Sequence, residues 1–200
     1  MATIYEYNLD NNLNLLTEPS QDFDITNPNS LYSGESQRSI LNTTEVSSPG
    51  NNVRFGPSAG NSITTGINNS LFGLQAGNAL TTGKNNILIG NTAGAAITSG
   101  ENNVVIGLDA GKTNITASNN VFIGQAAAQV TTSSENVAIG SLSLRNNTTG
   151  ASNLAIGVSA LQANTTANFN VGVGHFALQT TTTGARNIAV GYASLLEVTT

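Results

Sequence analysis

The chain has 200 residues, no cysteine, no tryptophan and a single histidine, His175. No Cys/His spacing for a metal site can be drawn from it. Charge is scarce too. Asp, Glu, Lys and Arg make up 8% of the residues, against roughly 25% in ordinary soluble domains. Nothing in so sparse a set forms a basic groove, so no nucleic-acid partner is expected. No apolar stretch is long enough to cross a membrane, so no membrane insertion is expected either. The opening MATIYEYNLDNNLNLL lacks the basic n-region and apolar h-region of a secretory signal. The product is therefore expected to be made and folded in a cytoplasm, and sequons such as Asn42-Thr-Thr and Asn164-Thr-Thr to be accidents of composition.

The little charge there is lies unevenly. Residues 1–50 hold seven acids (Glu6, Asp10, Glu18, Asp22, Asp24, Glu35, Glu45) and one base, Arg38, for a net −6. Residues 51–200 are near neutral, at +1, which accounts for the overall −5. The first region is aperiodic, rich in Asn, Ser, Asp and Pro, with scattered apolar anchors at Ile4, Tyr5, Tyr7, Leu9, Leu13, Leu15, Leu16, Phe23, Ile25, Leu31 and Tyr32. This composition predicts a mostly extended arm that orders on a partner; the alternative is a small cap for the region after it.

Residues 51–200 are a repeat. A glycine closes the strings VRFG, SLFG, ILIG, VVIG, VFIG, VAIG, LAIG, VGVG and IAVG, at Gly56, Gly73, Gly90, Gly107, Gly124, Gly140, Gly157, Gly174 and Gly191. Every interval is 17 residues except Gly124 to Gly140, which is 16. One short period sustained this far predicts a solenoid, whose units must stack to bury their apolar sides. Fold class is accordingly all-β: a parallel β-roll or β-solenoid with nine units over residues 51–200. An extended path of roughly 3.3 Å per residue gives each unit about 55 Å, enough for two short strands and two turns.

Four residues before each glycine stands an asparagine: Asn52, Asn69, Asn86, Asn103, Asn120, Asn136, Asn153, Asn170 and Asn187. Stacked coils would let these amides pair into a ladder; alternatively each shapes a local turn. The residues one and three before the glycine are large and apolar almost throughout, as in Ile139 and Val137, so they share one strand face. The residue between them is Leu71, Leu88, Val105 and Phe122 in units two to five, then Ala138, Ala155, Gly172 and Ala189. The strand is thus apolar on both sides, Arg54 in the first unit excepted. One side is the inside of the coil, and the other, read here as the side of Ala155, needs a second layer. Another copy of the chain is the simplest source. Only about four apolar side chains per coil are available for a core, which again predicts an oligomer.

Beyond the glycine lie a small residue (Ala76, Ala160) and then two dialects. Units one to four have Gly60, Gly77, Gly94 and Gly111, whereas units six to nine have Leu144, Leu161, Leu178 and Leu195. The short interval falls at their junction. A Thr-Thr-Gly string closes several units, as at Thr82-Gly83 and Thr149-Gly150, and predicts a turn. The same threonines in a flat array are the alternative, a hydroxyl surface for ice or glycan. His175 occupies a variable column and reads as a surface turn residue. Glu101, Asp109, Glu135 and Glu197 fall at different phases, so they form no acid/base pair in a regular stack. No catalytic residue, cofactor site or metal site is expected, and the chain is not read as an enzyme.

The strings GASNLAIGVSALQANTT, ENVAIGSLSLRNNTTG and GKNNILIGNTAG resemble the N-x-A-I-G-x-x-A-L arrays of bacteriophage tail fibres and related virion fibres. They are similar also to the shorter NxVAIG repeats in the heads of trimeric autotransporter adhesins. The resemblance covers residues 51–200. It implies a homotrimer of single-chain parallel β-rolls with the VAIG strands nearest a shared axis. It further implies a virion protein, assembled in the host cytoplasm, whose residues 1–50 dock on a tail or adaptor protein. A receptor-binding end for the host surface would then lie past Thr200, where the repeat stops in mid-period. A bacterial surface adhesin and a ligand-binding array remain the alternatives.

Overall fold

A computed structural model describes residues 8–9, 14–17, 21–24 and 50–196. The chain divides into two compact units, 1–45 and 46–200. In the first, Asn8–Leu9 (β1), Asn14–Thr17 (β2) and Gln21–Asp24 (β3) form an antiparallel sheet in the order β1-β2-β3. Its register sets Leu9 opposite Leu15, and Leu15 opposite Phe23. Three anchors that look isolated in the sequence thus take facing backbone positions within an arm expected to be mostly extended. The rest of the predicted docking arm lies outside the described residues, as does Glu197.

The second unit is a β-solenoid. Its strands are Val53–Phe55 (β4), Ser70–Phe72 (β5), Ile87–Ile89 (β6), Val104–Ile106 (β7), Val121–Ile123 (β8), Val137–Ile139 (β9), Leu154–Ile156 (β10), Val171–Val173 (β11) and Ile188–Val190 (β12). All nine pair in parallel with their sequence neighbours to make one sheet. The register aligns unit with unit, and it absorbs the 16-residue interval without a slip, since Ile123 pairs with Ile139.

Each coil has one strand, where two were expected. The remaining path is turn, yet its backbone is still bonded from coil to coil. Gly77 N–H donates to the Ala93 carbonyl at 3.0 Å, Thr81 N–H to the Thr98 carbonyl at 2.9 Å, and Asn85 N–H to the Ile67 carbonyl at 3.1 Å. The second strand fails to form because left-handed residues recur at fixed phases. In the coil of Gly157 these are Ser152 (φ 57°), Ser159 (56°) and Leu161 (51°). Each bends the chain out of the extended region.

The column of ruler glycines is required twice over. Gly73 to Gly191 all have φ between 124° and 136°, a region that L side chains avoid. A Cβ on Gly73 would also lie 2.6 Å from the Gly90 carbonyl oxygen of the next coil. Successive coils touch glycine to glycine here.

The strand's middle residue points into the coil, not to a second layer. Leu71, Leu88, Val105, Phe122, Ala138 and Ala155 are fully buried in a single chain. The outward residues are the other two columns. The sequence could not separate these cases, because both strand faces are apolar. The interior also explains the dialects. In the first half the strand supplies the bulk, and a Cβ on Gly77 would come 2.7 Å from Leu88 Cδ1. In the second half Leu144, Leu161 and Leu178 supply it from the opposite wall and are fully buried. There the strand shrinks to match, and a Cβ on Gly172 would sit 3.3 Å from Leu161 Cγ. One cavity is filled from alternate sides.

Candidate functional site

The nine asparagines are stacked one above another. All except Asn187 are buried, and each of eight backbone amides, from Asn69 to Asn187, donates to the Oδ1 of the asparagine one coil earlier, at 2.9–3.1 Å. Nδ2 donates along the column as well, for example Asn86 to Asn69 at 3.0 Å. It also reaches the carbonyl fourteen residues on, as Asn86 does to Gly100 at 2.8 Å. The one side chain therefore links neighbouring coils and ties the strand entry to the Thr-Thr-Gly corner. A buried amide needs such partners, since an unmade bond costs about 1–3 kcal/mol.

The short coil alters this pattern at one place. Thr132 N–H still pairs with the Thr148 carbonyl at 2.8 Å. Ser118 N–H donates to Ser134 Oγ at 3.0 Å, just as Glu101 N–H donates to Ser118 Oγ at 2.9 Å. So Ser134 stands where Ser118 stands, and Ser133 alone spans what Thr116-Ala117 spans one coil earlier. Its hydroxyl accepts from Asn136 Nδ2 at 3.0 Å and donates to the Gly150 carbonyl. It thereby joins Asn136 to the corner of the next coil.

The first threonine of the corner is bonded along the stack. The hydroxyls of Thr64, Thr81, Thr98, Thr132, Thr148 and Thr165 donate to the carbonyl one coil on, at 2.9–3.2 Å. A further column carries no mark in the sequence beyond its phase. Seven residues past the ruler glycine, Leu80 and Ile97 give way to Asn114, Thr131, Asn147, Asn164 and Thr181, all fully buried. Asn164 Nδ2 donates to Asn147 Oδ1 at 2.9 Å, and Asn147 Nδ2 to Thr131 Oγ1 at 3.0 Å. Its signal was only the shared phase.

The sheet's outer face is where chemistry meets solvent. Its two columns are apolar except at Ser70, and partly exposed: Ile87 41% and Ile89 37%, with Ile188 and Val190 more so. No charged residue occupies either column. The ionisable groups lie elsewhere on the coil and apart. Lys84 and Glu101 are 3.8 Å apart, and Ser152 Oγ donates to Glu135 at 3.0 Å. Asp109 accepts from Thr92 Oγ1, which holds its carboxyl below the usual range, helped by Lys112 at 3.1 Å. His175 is exposed, as expected of a surface turn, and its ring packs on Phe176 at 3.8 Å between centroids. Among the described residues no group of three or more His, Asp or Glu converges as a metal site would, and no helix is long and apolar enough to cross a membrane.

No protein-family model, no curated protein and no solved structure matches this chain.

Proposed function

We propose that the chain is a structural fibre subunit of a bacteriophage particle, a tail fibre or other virion fibre. Residues 51–200 form its shaft and residues 1–50 its attachment to a tail or adaptor protein. The shaft projects toward the host surface, where a receptor is met, and it performs no catalysis. Copies associate as a homotrimer.

One observation carries this reading: the outward strand face, apolar over nine coils except at Ser70 and partly open to solvent. Nine strands at about 4.8 Å, each three residues and so about 10 Å wide, give it roughly 430 Å². Patches of about 300–600 Å² are the largest a typical monomer shows and often mark an interaction site. The acidic, aperiodic first region supports the attachment role, because such segments order on a partner.

The test is incorporation. Particles made with the chain lacking residues 1–50 should be bare of this fibre, while the deleted protein keeps the circular dichroism of the solenoid. Normal incorporation would overturn the attachment role. Failure to find the intact chain on purified particles by immunogold labelling would overturn the virion assignment.

A further inference from the structure

The two ends of the array are unlike. Number the coils one to nine by their ruler glycines. Among the described residues, β4 of coil one pairs with β5 alone, and β12 of coil nine with β11 alone. Both are therefore edge strands, on which a further coil could stack. At the centre of β12 stands Ala189, and its neighbours Ile188 and Val190 are 71% and 69% exposed. At the centre of β4 stands Arg54. Coils two to nine carry an apolar residue or glycine there, so the charge occupies the one coil that has no predecessor in the array.

Arg54 is held inward. In register it lies beside Leu71 of coil two, which is fully buried. Its stem crosses the coil from the strand to the opposite wall. A Cβ on Gly60 would lie 3.0 Å from Arg54 Cδ, and Arg54 Nη1 donates to the Gly60 carbonyl at 3.2 Å. The methylenes lie over the apolar interior, while the residue keeps part of its surface in water.

We infer that Arg54 closes this end of the array against further stacking, and that the coil it turns away is coil nine of a second copy. Coil nine would seat on coil one in the register that joins every other pair: Ile188 beside Val53, Ala189 beside residue 54, Val190 beside Phe55. The sheet and its asparagine column would then run on from copy to copy, a head-to-tail contact that never closes. With Arg54 in place, the same contact presses a permanently charged guanidinium onto the apolar Ala189 and Leu195. Burying a charge in this way is strongly unfavourable, and an inward-pointing charge is one of the devices that keep edge strands from pairing. The argument is the same whether the shaft holds one copy or three.

The test compares the full-length protein with Arg54→Leu, which gives coil one the residue of coil two, and with Arg54→Lys, which keeps the charge. Negative-stain microscopy and sedimentation velocity read rod length and mass, and circular dichroism reports the fold. The parent and Arg54→Lys should stay at one unit length. Arg54→Leu should form rods that lengthen in steps of about 40 Å, the height of nine coils. Arg54→Met, similar in length but uncharged, should do the same and replaces the leucine variant if that one folds poorly. Folded neutral variants that keep the parent's length and mass would overturn the inference, as would an Arg54→Lys protein that lengthens like Arg54→Leu. Rods that double and grow no further would set coil one against coil one and overturn the head-to-tail seating.

Discussion

Exchanging the two dialects at one contact tests whether the interior is a single cavity filled from either wall. Leu161 and Gly172 touch across one coil step in the second half, as Gly77 and Leu88 do in the first. Leu161→Gly removes a fully buried side chain, and large-to-small changes of this kind cost about 2–5 kcal/mol. Part is recovered, because glycine relieves about 1 kcal/mol at the left-handed φ of 51°. Gly172→Leu, with Leu161 Cγ already 3.3 Å from its would-be Cβ, overpacks the coil at about 1–3 kcal/mol. Together the changes recreate the Gly77/Leu88 arrangement. The double variant should lie within about 1 kcal/mol of the parent, a coupling of about 2–3 kcal/mol for touching residues. Urea titration of the four proteins by circular dichroism at one concentration reads this. Additive losses would refute the complementary filling.

The same geometry sets three further outcomes. Ala155→Glu places an unpaired charge inside the coil and should abolish folding, whereas Val158→Glu, at a 43%-exposed position, should leave the dichroism spectrum unchanged; equal melting temperatures would contradict the inward assignment of the strand centre. Gly90→Ala drives a Cβ to 2.6 Å from the Gly107 carbonyl oxygen and should cost about 3 kcal/mol or more by thermal unfolding. Asn103→Ala orphans bonds made by Asn86, Asn120 and the Ala117 carbonyl. It should cost about 3 kcal/mol, against less than about 0.5 kcal/mol for the exposed Asn61→Ala; similar losses would reduce the ladder to a turn preference.

The repeat, the strand position and the parallel stacking were legible in the sequence, because periodicity is its strongest structural signal. The glycine column was legible for the same reason. Two things were hidden. Alternation cannot name the inner face when Val137, Ala138 and Ile139 are all apolar, so Ala138 reads as outward in the sequence and is core in the fold. Turn chemistry cannot announce a left-handed bend when the bending residue is Phe169 or Leu161, not Gly or Asn. A second strand was therefore expected where the coil turns. The polar interior column of Asn147 and Asn164 shared a phase with Ile97, and only the folded coil shows that phase to face inward. The outward apolar face was visible as a pair of columns.

The central claim is that the outward strand face is covered by copies of the chain. Sedimentation equilibrium of the full-length protein, beside an Ile106→Glu variant that charges the middle of that face, tests it most directly. The account predicts three times the 20.4 kDa chain mass for the parent, and for the variant a smaller species with unchanged β-sheet dichroism. A monodisperse parent monomer with full β-sheet signal would contradict it.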